Sequence, residues 1–547
     1  MSRTGGGGEV DLPRDACGGT IATVRPRPHI TVRKVGNMTA RRLTASFAAV
    51  ACLAGFTAAP AGDPPAPRAL ACDELAAISW NGFVLDEVAA IPAGDADPAH
   101  CRVRGTIDLE IRFELLLPES GHWNGRFLMG GGGGYVGSVQ NQAIQYAGPE
   151  SVLARGFATV GTDTGHRGSG IDASWALNRP DREVNFGFRA VHVTAVTAKT
   201  IIRLYYGRDI DYSYFLGCSR GGGQGMMSSQ RYPDDFDGIV SGAPAYNWTA
   251  LGALFLQTQQ ALYPDPADLS APVIDDEAAE VLETAILGAC DEDDGVKDGF
   301  MTDPLACDID LASIPGLTVE QRRAAEVIYG GAYVDGEQVY PGFPFGGETD
   351  EPGWQRWITG GTPATGGIPN LHYAFGTQMH KYIIFDDPGF DYAAFDFGDH
   401  ARWLEQTRRA AKILNATDTD LSGFRTAGGK LILWNGWSDP AIPATGTIEY
   451  YEGVAAGDEG VDEYLRMFML PGVLHCAGGP GPDFVDWIAA IQAWVEEDRA
   501  LDRLVATKMG EGGGIEMQRP VCAWPAEAVY DGSGDPRREE SFECVTP

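Results

Sequence analysis

Short apolar runs separated by amphipathic stretches set the rhythm of the chain from about residue 102 onward. Phe127-Leu128-Met129 runs straight into Gly130–Gly134, and Phe157–Gly161 is a second buried run. Ala190 to Tyr206 carries apolar residues at helical spacing. Tyr212–Leu216 then reads as a strand, the stretch around Gly225-Met226-Met227 as a helix, and Gly238–Gly242 as the next strand. Strands alternating with helical segments imply a parallel sheet with helices on both faces. From Tyr246 to Ala416 the rhythm changes. Acidic, Gly- and Pro-rich loops separate short aromatic runs, and little alternation remains. This reads as a large insertion lying over the sheet. The α/β rhythm resumes at Gly429–Trp434, continues through Met467–Leu470, and closes with a helical pattern from Phe484 to Glu497. The expected organisation is a core in two parts, 72–245 and 417–547, with a lid over 246–416. No internal repeat or heptad run is present.

The first residues stand apart. Met38 to Arg42 is basic, Phe47–Phe56 is apolar, and Ala59-Pro60-Ala61 is an A-x-A-like cleavage site, so 1–61 reads as a leader and signal peptide. The apolar run is too short to span a bilayer. Cleavage there leaves 33 Lys and Arg against 72 Asp and Glu, a strongly acidic body that repels nucleic acid and anionic membrane surfaces. Its size exceeds what one core fills, in keeping with a main domain plus a second body.

Eight cysteines follow the signal, an even number suited to disulfides in an oxidising compartment, secreted or periplasmic. Proximity favours Cys72–Cys101, Cys290–Cys307 and Cys522–Cys544, leaving Cys218–Cys476. Proximity alone is weak, because about 105 pairings are possible.

The chemistry enters at the leftover pair. Gly217-Cys218-Ser219-Arg220-Gly221 follows the Tyr212–Leu216 run and is the G-x-S-x-G pattern of a nucleophile elbow. Far downstream stands Leu474-His475-Cys476. One cysteine precedes the candidate nucleophile and the other follows the candidate base. Bringing Ser219 to His475 therefore brings Cys218 towards disulfide distance of Cys476. Between them, Asn435-Gly436-Trp437-Ser438-Asp439-Pro440 follows a late strand, giving the order Ser, Asp, His of α/β-hydrolases. The roles expected are Ser219 as nucleophile, His475 as general base then acid, and Asp439 as the acceptor that fixes the imidazole tautomer. For the oxyanion, the amide of Arg220 and those of the glycine run, Gly132 and Gly133, are the candidate donors. Lacking a following Lys-Ser/Thr, the glycine run is not a P-loop.

A second motif lies in the insertion. Cys290 to Phe300 packs Asp291, Asp294 and Asp298 around two glycines, a set of hard oxygen donors suited to Ca²⁺ with the carbonyls of Val296 and Phe300. The spacing is not that of an EF-hand, and a solvated acidic turn is the alternative.

These stretches together resemble the tannase and feruloyl esterase family, which also includes a mono(2-hydroxyethyl) terephthalate hydrolase. The matching segments include Gly130–Gly134, Phe186–His192, Tyr214–Gly222, Arg231–Gly238, the acidic loop, Gly436–Asp439 and Pro471–Cys476. The resemblance implies an α/β-hydrolase fold with an inserted lid. It also implies hydrolysis of aromatic-acid esters by a Ser-Asp-His triad, a disulfide joining the neighbours of Ser219 and His475, and a lid Ca²⁺ at Asp291–Phe300. Two departures are visible. Asn435 stands where the family often has histidine, and Arg220 then Gly221-Gly222-Gly223 stand where it often has Thr then Gly-Gly-Arg.

The function expected is therefore a secreted carboxylic ester hydrolase acting on small feruloyl, hydroxycinnamoyl or galloyl esters. Trp354, Trp357, Phe375, Tyr382 and Phe385 of the lid are candidates for stacking on the acid. A mono(2-hydroxyethyl) terephthalate-type hydrolase, a secreted serine peptidase or acyltransferase, and a non-catalytic Ca²⁺-dependent binding protein are the alternatives.

Overall fold

The apolar runs pair into a nine-stranded sheet. The computed structural model describes residues 68–360, 368–499, 501–510 and 512–547; the leader and signal expected over 1–61 lie outside the described residues. In chain order the strands are β1 (Phe83–Ile91), β2 (His100–Ile107), β3 (Ile111–Pro118), β4 (Arg126–Gly130), β5 (Ala158–Thr162), β6 (Tyr212–Cys218), β7 (Gly238–Gly242), β8 (Ala332–Val334), β9 (Glu337–Tyr340), β10 (Lys430–Gly436), β11 (Leu465–Leu470), β12 (Arg503–Met509), β13 (Ile515–Cys522), β14 (Glu527–Tyr530) and β15 (Phe542–Val545). The sheet runs β1-β2-β3-β5-β4-β6-β7-β10-β11.

From β5 to β11 every pairing is parallel, and these strands are buried along nearly their whole length. At the other edge β1, β2, β3 and β5 pair antiparallel. The alternating strand–helix pattern expected from residue 102 therefore begins only at β4. Ile111, Phe113, Leu115 and Leu117 point inward while the residues between them are half-exposed, the period of two typical of an antiparallel strand with one wet face. Helix Ala190–Tyr206 packs within the apolar cluster on one face of the sheet, and helix Trp487–Glu497 within the cluster on the other.

Strands β7 and β10 are neighbours, with Ile239 opposite Leu431, so everything from 243 to 429 is inserted between two adjacent parallel strands. The regular structure of the insertion is mostly helical: Trp248–Leu262, Asp276–Cys290, Val319–Gly330, Leu371–Met379 and His400–Leu414. Sequence reading emphasised its loops. Trp248–Leu262 is buried on almost all sides and so shows no apolar stripe. The other four helices each begin with a side-chain cap, from Asp275, Thr318, Asn370 and Asp399 respectively. The insertion shares one apolar core with the sheet, since Phe215 and Met227 belong to the same cluster as Trp248, Phe255 and Ile383.

Beyond the sheet, β12–β13 and β14–β15 form two antiparallel pairs that the apolar pattern did not announce. Cys522–Cys544 ties β13 to β15, and Cys72–Cys101 and Cys290–Cys307 close the two other short loops.

Candidate active site

Ser219 stands between β6 and the helix Arg220–Arg231 with φ 63° and ψ −125°. For a residue with a side chain this backbone costs on the order of 1–3 kcal/mol and persists only where its surroundings over-determine it. They do so here. The Ser219 amide donates to Gly242 O at 2.9 Å, and the Ser219 carbonyl accepts from Gly223 at 3.1 Å and Ala245 at 2.9 Å. The glycines make this turn possible. A Cβ on Gly217 would sit 2.5 Å from the Gly221 carbonyl, and one on Gly222 would sit 2.3 Å from Gly242 O. The helix accepts poor propensity so that its first turn can lie against the ends of the strands.

The buried side chain of Gln142 adds a further clamp that sequence reading missed. Its Oε1 accepts from the Cys218 amide at 2.9 Å, and its Nε2 donates to the Cys218 carbonyl at 3.1 Å. Only the glutamines at 140, 142 and 145, a few residues after the glycine segment, hinted at such a role.

Asp439 follows β10 and is fully buried, with 0% of its side chain exposed. Its Oδ1 accepts from the amides of Ala441 and Ile442 at 2.8 and 2.9 Å, and His475 Nδ1 lies 2.8 Å from Oδ2. Asn435, at the end of β10, donates to Ile442 O at 3.3 Å and approaches Asp439 Oδ2 at 3.5 Å, while its own Oδ1 accepts from Thr447 at 2.9 Å. With Nδ1 engaged by the carboxylate, Nε2 is the free nitrogen of His475. Cys218 and Cys476 form a disulfide with their Cα atoms 6.0 Å apart, so the residue before Ser219 is covalently joined to the one after His475. Ser219 and His475 line the same cleft with no direct hydrogen bond between their side chains.

The glycine run differs from expectation in one respect. The Gly132 amide donates to Gln224 Oε1 at 3.1 Å and the Gly133 amide to Gln140 Oε1 at 2.8 Å, so the two expected oxyanion donors are already engaged. Gly134, at φ 55°, lies beside Ser219 on the cleft, and no acceptor for its amide is found among the described residues. The Arg220 amide opens its helix and so has no intrahelical acceptor.

Two cavities meet at Ser219. The inner one is small and is walled by Tyr135, Trp248, Phe255, Trp357 and Phe375. The outer cleft is larger and open to solvent, and it runs past His475, Gln140, Tyr146 and Arg356. Of the lid aromatics singled out from sequence, Trp357 and Phe375 line the site. The ring of Trp357 meets the His475 imidazole edge-on at 4.8 Å. Trp354 instead packs against Tyr329, and Phe385 against Phe390 and Phe395. Tyr382 packs at the edge of the core. Trp248 and Phe255 were missed because their helix reads as generally apolar.

The acidic loop is internally bonded. Asp291 Oδ1 accepts from the Gly299 amide at 3.0 Å, and Asp294 accepts from Val296 N at 2.9 Å and Thr302 Oγ1 at 2.6 Å. Asp298 pairs with Arg519 through Oδ2, while its Oδ1 is buried without a partner. Burial pushes the Asp298 carboxyl up to about 6; Arg519 opposes the rise, and the charges of Asp294 and Asp291 add to it. Among the described residues no three His, Cys, Asp or Glu side chains converge as a finished ligand set. Asp294 and Asp291 lie near enough for their charges to act on Asp298, one oxygen of which has no partner.

A family model described as tannase and feruloyl esterase matches residues 98–545. A mono(2-hydroxyethyl) terephthalate hydrolase of Piscinibacter sakaiensis is 32% identical over 557 residues, spanning 89% of this chain and 90% of its own. Feruloyl esterase B of Aspergillus niger is 31% identical over 483 residues, spanning 81% of this chain and 86% of its own. The crystal structure of feruloyl esterase B from Aspergillus oryzae superposes with a TM-score of 0.75 at 28% identity, covering 87% of this chain and 99% of that one. The chain belongs to the tannase and feruloyl esterase family, and is an esterase with the α/β-hydrolase fold.

Proposed function

We propose that this esterase hydrolyses esters of aromatic acids through an acyl-enzyme on Ser219. The observation that carries the reading is the closed linkage at the cavity mouth. Asp439 holds His475 Nδ1 at 2.8 Å, and the disulfide next to His475 returns to the residue before Ser219. In this mechanism His475 Nε2 takes the Ser219 proton as Oγ attacks the ester carbonyl. The amides of Arg220 and Gly134 receive the oxyanion. His475 then hands the proton to the departing alcohol, and a water activated by the same nitrogen releases the acid. The aromatic walls of the inner cavity suit the acid portion, and the open cleft suits the alcohol.

Calcium is proposed as a structural cofactor of the lid, held by Asp291, Asp294 and Asp298 with the carbonyls of Val296 and Phe300. When bound it supplies charge neutralisation to the loop that Cys290–Cys307 closes, and no catalytic step involves it. The proposed setting is secreted or periplasmic, which the four disulfides support. Among the described residues no helix is long and apolar enough to cross a membrane.

The test is acid release from methyl ferulate, methyl gallate and mono(2-hydroxyethyl) terephthalate by wild type and by Ser219→Ala. Turnover that falls by roughly 10⁴-fold or more in the variant is expected. A folded, oxidised wild type inactive on all three overturns the reading.

A further inference from the structure

A further cavity opens behind the Cys218–Cys476 disulfide. Cys476 lines both this cavity and the outer cleft, whereas Cys218 lines the far one alone. Gln145, Tyr146 and Ala477 are likewise shared, so the two spaces adjoin across the bridge that stands next to Ser219 and His475. Trp434, Trp487, Phe484 and Val485 wall the far side. The indoles of Trp434 and Trp487 stack on one another, with centroids 5.4 Å apart and planes 10° from parallel. Phe484 is half-buried and held in place. Its backbone exchanges two hydrogen bonds with Thr507, at 3.1 and 2.8 Å, and its ring lies so close to Gly148 that a Cβ there would sit 2.5 Å from Cζ. Beyond the aromatic residues, the polar side chains are Gln145, which is exposed, and Asp483, whose Oδ2 already accepts from the Gly478 amide at 2.8 Å. The amide and carbonyl of Cys218 are both taken by Gln142.

Resting on the esterase reading above, in which the alcohol portion lies in the outer cleft, we propose that this cavity is a distal subsite for the far end of that alcohol. The substrate class is then an ester whose alcohol carries an uncharged aromatic ring on a flexible spacer, the spacer crossing the disulfide. A sugar would give up its hydrating water to walls that return few hydrogen bonds, and pays for that exchange. Asp483, the one carboxylate on the cavity, repels an anionic group. An aryl ring meets neither cost. It gains the contacts of aromatic walls that are already fixed, so little side-chain freedom is lost on binding.

Ser219→Ala protein, titrated calorimetrically, reads this subsite without turnover. The probes are the butyl and 4-phenylbutyl esters of 4-hydroxybenzoic acid, which differ only in the terminal ring. Burial of that ring makes the phenylbutyl ester bind roughly tenfold or more tightly than the butyl ester. Adding Phe484→Ala removes most of this ratio, which is read within each variant. Location is read separately, by irradiating Ser219→Ala protein with the phenylbutyl ester carrying an azide on its ring and mapping the label by mass spectrometry. Label on the segment 483–487 is expected. Equal binding of the two esters overturns the proposal, as does a ratio that survives Phe484→Ala or label confined to Trp357 and Phe375 of the lid. Where Phe484→Ala does not fold, the ester ratio and the label decide on the unaltered cavity. Acid release from the butyl ester by wild type is measured alongside, so failure of the distal subsite and failure of the esterase reading give different results.

Discussion

Gln142 brackets Cys218, accepting from its amide at 2.9 Å and donating to its carbonyl at 3.1 Å, so that one side chain satisfies both backbone groups of the residue before Ser219. The pair behaves like one rung of a β-ladder made by a side chain. It holds the end of β6 where the chain must turn into an unfavourable conformation.

Replacing Gln142 with Leu leaves two buried backbone groups unpaired, each costing about 1–3 kcal/mol. The expected outcome is a lowered melting temperature together with a fall in kcat of tenfold or more, as Ser219 relaxes from its strained backbone. Calorimetry and steady-state kinetics on one preparation check both. A destabilised variant with unchanged kcat would remove Gln142 from the positioning of the serine.

Asp439 receives two backbone amides and the imidazole at once, so Asp439→Asn alters the tautomer rather than the packing. An amide nitrogen facing Nδ1 favours the imidazole with its proton on Nε2, which cannot accept from Ser219. kcat is expected to fall by about 10⁴-fold, with the melting temperature little changed.

The Cys218–Cys476 disulfide closes a loop of 258 residues, and Cys476 itself adopts φ 67°. The double variant Cys218→Ser with Cys476→Ser is expected to lose a few kcal/mol of stability and at least tenfold in kcat, because His475 is no longer tethered near Ser219. Mass spectrometry verifies that the other three bridges remain. Full turnover in that variant would show the link to be structural alone.

Glu348 gives a pH dependence with a definite sign. It is fully buried in the lid, accepting from Tyr329 Oη and Gly346 N at 2.8 Å each, with Oε2 unpartnered. Burial raises its carboxyl to about 7, against the lowering effect of those two donors. The folded chain therefore holds a proton that the unfolded chain releases. The stability this confers is fully present below about 4.5 and is lost as pH rises through about 7, on the order of 1–3 kcal/mol. Melting temperatures of wild type and Glu348→Gln at pH 5 and pH 8 check it, the variant gaining relative to wild type at the higher pH.

The parallel half of the sheet was legible because strands buried on both faces are continuous apolar runs, as in Tyr212–Leu216 and Gly429–Trp434. Ser219, Asp439 and His475 stood out because each follows such a run, and the two flanking cysteines constrained one another. Less was visible where packing rather than local pattern decides. Trp248 and Phe255 reach the cavity from a helix that is apolar all round. Which glycine amide stays free depends on Gln140 and Gln224, the latter 92 residues away from its partner.

The most direct test of Ser219 as nucleophile is to quench the enzyme during turnover of a slow aromatic ester and determine its intact and peptide masses. One acyl group on the peptide carrying Ser219, absent from Ser219→Ala, is the expected result. Steady turnover with the acyl group on another residue, or label remaining in Ser219→Ala, would contradict it.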